Sequence, residues 1–513
     1  MKTFRKAMCF VLLFAAVLTL VGCAGNKNDE PQVITDISQL AGCGIGVVTG
    51  SAFDTMTDEY IENADKQYYE SYADLAVALS KGKISGFLVD EPVGRMLCNE
   101  QKGLRFLDEY ISRESYAFAF PKTDEGGALR DRFNEFLSQI TADGTLDEFK
   151  AKWLSDDENA KAVTYPPENG SAGTLRFATD SRTAPFSYVK DGQVVGYDID
   201  ILCRFCEKYG YGLDISDTDF AAIIPALVTG KADLVACCIT VTEERADSVY
   251  FSNANYEGGV VVMVADASAA AENIGFFESL MDSFYKNFVK ENRWKMLLSG
   301  LGITVLISVC SGLLGAALGF GVCMQRRCQN KIPRAIAAVY IRIMQGTPIL
   351  VFLMILYYVI FGNSDISPII VAIIGFAVNF SAYVSEMMRT GIESVDKGQN
   401  EAALALGYTK RQSFFKVVFP QAAKHFLPVI KGEFVSLVKM TSIVGYITIQ
   451  DLTKASDIIR SRTYEAFFPL IVTAIIYFVI SWLLTIVLGR IEIRLDPKKR
   501  SKKRKSRTKE ANL

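Results

Sequence analysis

Four charge-free apolar runs, Ser299–Val322, Ile343–Phe361, Ile366–Ser385 and Ala466–Gly489, dominate the second half of this 513-residue chain. Each has about the 20 residues that a hydrocarbon core requires. This half is therefore expected to fold as helices across a bilayer. A fifth stretch, Phe434–Gln450, is interrupted by Lys439. The half before them is of another kind. Residues 24–275 carry 21 Lys/Arg against 42 Asp/Glu, whereas residues 276–513 carry 31 against 15. An acidic front and a basic, apolar back predict two environments, one on each side of a membrane.

The N-terminus has the form of an export address. Lys2, Arg5 and Lys6 precede the short apolar run Cys9–Leu20, and Leu20-Val21-Gly22-Cys23 closes it. This pattern resembles a bacterial lipoprotein signal, which implies cleavage before Cys23 and a lipid on its thiol; an ordinary secretory signal or an uncleaved anchor is the alternative. In each case the acidic half is expected outside. The first span then runs inward, and the loop after it carries Arg326, Arg327, Lys331 and Arg334, as a cytoplasmic loop should. The tail holds nine basic residues between Lys498 and Lys509. A fifth span near 434–450 places that tail inside, which fits a topology signal near anionic lipids better than nucleic-acid binding. Residues 276–294 mix aromatic and basic side chains and predict an interfacial or linker helix.

Between the third and fourth runs lies a polar, patterned loop, Arg389–His425, containing Glu401-Ala402-Ala403-Leu404-Ala405-Leu406-Gly407. Ala and Leu favour helix, and Gly407 can end it. The stretch resembles the Glu-Ala-Ala-x3-Gly loop of ABC importer permeases. Glu401, Ala402, Ala403 and Gly407 match it residue by residue. The resemblance implies a short coupling helix that docks on a separate ATP-binding cassette subunit. Gln345-Gly346-Thr347-Pro348, Ser381-Ala382-Tyr383-x2-Glu386-x2-Arg389 and Lys439-Met440-Thr441-Ser442 are similar to further stretches of the polar amino acid permeases, with Gln345 where Arg is usual. Ile443-Val444-Gly445-Tyr446-Ile447 has the core of a potassium filter but Ile447 where the flanking Gly belongs.

The exported part reads as alternating strands and helices. Ala178-Thr179-Asp180, Val195-Gly196-Tyr197-Asp198, Asp219-Phe220-x2-Ile223-Ile224-Pro225 and Thr240-Val241-Thr242-Glu243-Glu244-Arg245 resemble the first half of the extracellular amino acid-binding proteins of ABC importers. Ile37–Ser51 and Gly86-Phe87-Leu88-Val89-Asp90-Glu91-Pro92 resemble the second half, yet come earlier. The resemblance implies one circularly permuted two-lobed domain, cut at the hinge; two decayed half-domains are the alternative. The linker Ser155–Gly173, with Pro166, Pro167 and Gly170, is expected to be a flexible joint.

A free amino acid is a zwitterion, and desolvating it is costly unless both charges are paired. By the resemblance, Arg245 takes the carboxylate with help from Thr240 and Ser51. Asp90 takes the ammonium, and Asp180 and Phe220 face the side chain. Arg245 and Asp90 are expected on opposite lobes, bridged only by ligand. Thr183 and Cys238 depart from the family's aromatic and glycine. Cys203-x-x-Cys206 is expected to pack rather than react.

The expected fold class is an α/β periplasmic-binding-protein-like two-lobed domain plus an all-α transmembrane ABC permease domain. The expected order is signal peptide 1–22, linker 23–35, second half 36–154, linker 155–173 and first half 174–268. The interfacial helix 276–294, permease 295–495 with five transmembrane helices, and basic tail 496–513 complete it. The single His425 and the missing Gly-x4-Gly-Lys-Ser/Thr loop argue against His-based hydrolysis and against ATP hydrolysis by the chain itself. The expected partners are an ATP-binding cassette subunit, a polar amino acid, membrane lipids and a second copy; no cofactor, metal or nucleic acid is called for. A ligand-gated channel or sensor, or an enzyme on the binding-protein fold, are the competing readings.

Overall fold

The computed structural model describes residues 33–155, 157, 160–266, 276–362, 364, 366–465 and 467–495. The signal, Cys23 and the basic tail lie outside the described residues.

Among the described residues, fourteen strands build the front domain. They are β1 Gly44–Val48, β2 Asp65–Tyr69, β3 Gly86–Asp90, β4 Leu104–Phe106, β5 Ser112–Tyr116, β6 Ala119–Pro121 and β7 Thr174–Thr179. Next come β8 Arg182–Thr183, β9 Ser187–Lys190, β10 Gln193–Val195, β11 Gly212–Asp217, β12 Leu234–Val235, β13 Val249–Phe251 and β14 Tyr256–Ala265. One sheet runs β2-β1-β3-β14-β4, with β5 also on β14; a second runs β11-β7-β12-β6-β13. β1, β2 and β3 are parallel, as are β11, β7 and β12, and β8 to β10 form a small antiparallel sheet. Every residue of β3, which lies between parallel β1 and antiparallel β14, is buried, the pattern of a central strand covered on both faces.

The two lobes share two crossings. The chain passes from the first sheet to the second at β5–β6 and returns at β13–β14, and the crossing segments pair where Tyr116 O accepts from Asn255 N and Phe118 O from Ser252 N. This corrects the expected cut at the hinge. β14, which closes the expected first half, lies beside β3 in the first sheet, so that half contributes a strand to the other lobe. The ends of the domain meet there: Ala265 pairs with Leu104, and Arg105 donates to Ile34 O.

The linker is also not a free joint. Tyr165 Oη donates to Val194 O, and Lys161 is only 2% exposed. A Cβ on Gly170 would come within 2.1 Å of Gly212 N, so the linker lies in backbone contact with the start of β11. Elsewhere in this lobe Phe118, Phe133, Phe136 and Phe205 pack ring against ring, each burial stabilising by roughly 2–3 kcal/mol.

Among the described residues the second half holds helices and no strand. Trp294–Arg327, Pro368–Glu393 and Phe468–Arg490 are long and apolar enough to cross a membrane, and Lys331–Gly346 with Ile349–Ile360 forms a pair bent by 108°. The bend falls at Gly346-Thr347-Pro348, where proline has no N–H to continue the ladder, so the stretch expected as one span from Ile343 is two helices meeting at a bend. Gly312, Gly315 and Gly319 line one stripe of the first span. A Cβ on Gly315 or Gly319 would come within 2.8 Å of Ala377 O or Ser381 O on the Pro368–Glu393 helix, a small-residue contact that brings two backbones together.

The expected fifth span is corrected in place. Residues 434–450 are not one helix. The helix is Phe419–Met440, and a 3-10 turn over Thr441–Ile447 succeeds it. Its 22 residues rise about 33 Å, but it is not among the described helices apolar enough to cross a membrane; Lys431 pairs with Glu492 at 3.1 Å on the last helix. The 3-10 turn buries Val444 and Gly445 and sends Tyr446 Oη to Glu70, an arrangement unlike a row of inward filter carbonyls. The loop is correspondingly shorter than Arg389–His425, because the preceding helix continues to Glu393. The interfacial segment is a helix over Phe276–Phe284, and the chain breaks from helical geometry at Glu291, where φ is 56°. Between them Asn287 donates to Glu465 at 2.6 Å.

Candidate ligand-binding cleft and coupling loop

The chain ends of β1, β3 and β7 and the turns after them open on one cavity between the lobes. Arg245, Asp90, Thr240, Ser51, Asp180 and Phe220 all line it, with Tyr72, Arg182, Thr183, Cys237 and Cys238. Strand C-termini are where open α/β sheets place their ligands. The free volume is about 20 Å³, room for about one water, so the lobes stand closed on each other.

Asp90 ends the buried strand β3 and is 3% exposed. Its Oδ1 accepts from Tyr116 Oη, and its Oδ2 from Tyr72 Oη at 3.3 Å. Among the described residues no cation pairs with it. Burial therefore pushes its carboxyl up to about 6, against the lowering by its hydroxyl donors. Such a group is poised to take a cation.

Arg245 offers the opposite charge from the other lobe. It sits on the one-turn helix Glu243–Ala246, capped by Thr242. Nη1 donates to Thr240 O at 2.9 Å and Nη2 to Gly50 O at 3.0 Å, with the guanidinium 5.8 Å from the Phe220 ring centroid. Burial lowers its pKa. No described carboxylate pairs with it. The bond to Gly50 O crosses the cleft, so the lobes are bridged without a ligand, contrary to expectation. Gly50 has φ of 80°, which exposes its carbonyl and turns the chain into Ser51, whose hydroxyl donates to Val48 O at 2.7 Å.

Asp180 lines the cavity, but its carboxylate is occupied. It accepts from Arg182 Nε at 2.8 Å, Arg182 Nη2 at 2.7 Å and Phe220 N at 3.0 Å. The adjacent guanidinium keeps it ionised; despite burial its pKa is lowered. Asp180 thus orients Arg182 rather than facing a ligand side chain unencumbered. Sequence reading missed Arg182. The available signal was the Asp180-x-Arg182 spacing, which puts both side chains on one face of an extended segment.

Cys238 adopts φ of 52°, the left-handed region glycine favours, and its N–H donates to Asp198 Oδ2 at 3.2 Å. Burial pushes the Asp198 carboxyl up to about 7. Cys203 and Cys206 are buried on the Tyr197–Tyr209 helix, and burial raises both thiols, so they pack.

The loop residues form a separate feature. Glu401, Ala402 and Ala403 lie on the helix Lys397–Ala405, capped by Asp396, and Gly407 ends it with φ of 84°. Ala403 is buried, whereas Leu404 and Leu406 are 38% and 80% exposed. This helix and Asp90 lie at opposite ends of the first span. Arg326, at its far end, is 3.6 Å from Glu386, just before the loop, while a Cβ on Gly300, near its start, would meet Asp451 O beside the front domain.

The multi-pass helical half, with its exposed helix Lys397–Ala405 between two of its long helices, is the part of the chain that places it among the permeases of ABC transporters. The family model for the binding-protein-dependent transport system inner membrane component matches residues 313–500. The L-cystine transport system permease protein TcyB of Bacillus subtilis is 32% identical over 212 residues, covering 41% of this chain and 91% of the relative. The arginine transport system permease protein ArtQ of the same organism is 33% identical, covering 39% and 92%. A solved structure described as an amino acid ABC transporter with histidines is 33% identical over 43% of this chain and 99% of its own, at a TM-score of 0.38. The chain belongs to this permease family.

Proposed function

We propose that the chain is both receptor and permease of an ATP-driven amino acid importer. The front domain, anchored through Cys23, captures an amino acid outside. The helical half carries it inward as one of two copies. A separate ATP-binding cassette subunit grips the helix at Glu401, Ala402, Ala403 and Gly407 from the cytoplasm, where the basic tail also lies. Relatives that are permeases for cystine and arginine support the substrate class.

The observation that carries this reading is the pair of unmatched charges in one cleft. Among the described residues Asp90 makes no ion pair with a cation and Arg245 none with a carboxylate, and they stand on opposite lobes. An α-amino acid supplies both, and a bidentate guanidinium–carboxylate contact would replace the bond to Gly50 O. The test is calorimetry of the full chain in nanodiscs against the twenty L-amino acids. Binding of one or a few is expected, and no heat with any of them overturns the reading.

A further inference from the structure

The helix Leu452–Thr463 touches both lobes of the front domain. Lys454 Nζ lies 2.7 Å from Asp219 Oδ1 and 3.9 Å from Asp217 Oδ2, on the lobe that carries Arg245. Arg460, farther along the same helix, pairs with Asp74 on the lobe that carries Asp90. Lys454 is also one ion from the cleft wall: Arg182 Nη2 is 2.8 Å from Asp219 and 2.7 Å from Asp180. The helix itself is fixed to the membrane half. Asp451 caps it and accepts from Tyr477 at 3.1 Å on the last helix, and Leu452 N donates to Thr304 on the first.

We propose that this helix is a clamp, with Lys454 and Arg460 as its two grips, that holds the lobes closed and ties their separation to the membrane half. Both grips stand on one rigid helix, so their separation is fixed. Parting the lobes enough to admit an amino acid, in place of the present 20 Å³, must break at least one of them. The clamped form cannot take up ligand, and the apparent affinity is reduced by the fraction of time the clamp is open. Movement of the membrane half that shifts this helix changes that fraction, and the coupling is reciprocal.

The inference rests on the amino acid-binding reading, and the test separates the two. The full chain in nanodiscs is titrated with each of the twenty L-amino acids, as wild type, Lys454→Met and Arg460→Met. Both variants are expected to bind the same amino acid about fivefold or more tightly, the size of a typical coupling. Faster amide exchange is expected in the helices Tyr72–Ser80 and Phe220–Val228 in the same samples. Lys454→Arg is expected to behave as wild type. Unchanged or weaker affinity in both Met variants, with wild-type binding intact, overturns the clamp alone. No binding by the wild type overturns the capture reading and the clamp with it.

Discussion

Asp90 and Arg245 face one cavity from opposite lobes, and among the described residues neither has an ionic partner of its own. The two charges match those of a free amino acid. The hydroxyls of Tyr72 and Tyr116 keep Asp90 hydrogen-bonded but do not neutralise it. That asymmetry has consequences for both stability and affinity.

Asp90→Asn should abolish amino acid binding and yet stabilise the ligand-free protein at high pH. The folded-state pKa of Asp90, about 6, lies above the ordinary 3.8. The folded form therefore holds this proton more tightly. Its contribution to stability is full below pH 3.8 and is lost as pH rises through about 6. At pH 8 the ionised group costs up to roughly 3 kcal/mol, which Asn removes. Thermal unfolding in detergent should show a higher midpoint for the variant at pH 8 and no gain at pH 4. A lower midpoint at both values would contradict the unpaired-charge account.

Ligand affinity should fall at acid pH. An ammonium pairs with the ionised carboxyl, so binding must expel the Asp90 proton below about pH 6. The loss should approach tenfold per pH unit below that value. Titration calorimetry at pH 5 and pH 7.5 measures it, and equal affinities would exclude Asp90 as the ammonium partner.

Leu406→Glu should leave binding intact and stop uptake. Leu406 is 80% exposed at the tip of the loop beyond the Lys397–Ala405 helix. A charge there removes an apolar contact from the surface proposed to meet the ATP-binding subunit. Calorimetry should match wild type while cellular uptake falls by about tenfold or more; normal uptake would show that this tip makes no essential contact.

Gly319→Leu should destabilise the helical half. A Cβ at this position would already come within 2.8 Å of Ser381 O and Val384 Cβ, so a larger side chain must separate two helices. A loss of about 2–4 kcal/mol is expected, read as a lower unfolding midpoint in detergent. An unchanged midpoint would mean that the two backbones are not in close contact.

Much of the cleft was legible because its residues sit in local patterns. Arg245 comes after a Thr-x-Thr cap, and Asp90 ends an apolar strand before Pro92. What stayed hidden depends on distant partners. Arg182 and Lys454 meet over Asp219, which is 235 residues from Lys454 in the chain, and no local period announces that. The helix Phe419–Met440 is not legible as an apolar run because Lys424, Lys431 and Glu433 interrupt it, and Lys431 finds Glu492 only in the folded bundle. The linker Ser155–Gly173 has the composition of a loose joint, and only the close approach of Gly170 to Gly212 shows otherwise. The boundary between the lobes is hidden for a similar reason: β14 looks like the end of its own half, yet its hydrogen bonds go to β3.

The most direct test of receptor and permease acting as one chain is uptake of the bound, radiolabelled amino acid by cells carrying wild type or Arg245→Ala at equal membrane abundance. The account predicts concentrative uptake by the wild type and none by the variant. Uptake at the wild-type rate by Arg245→Ala would contradict it.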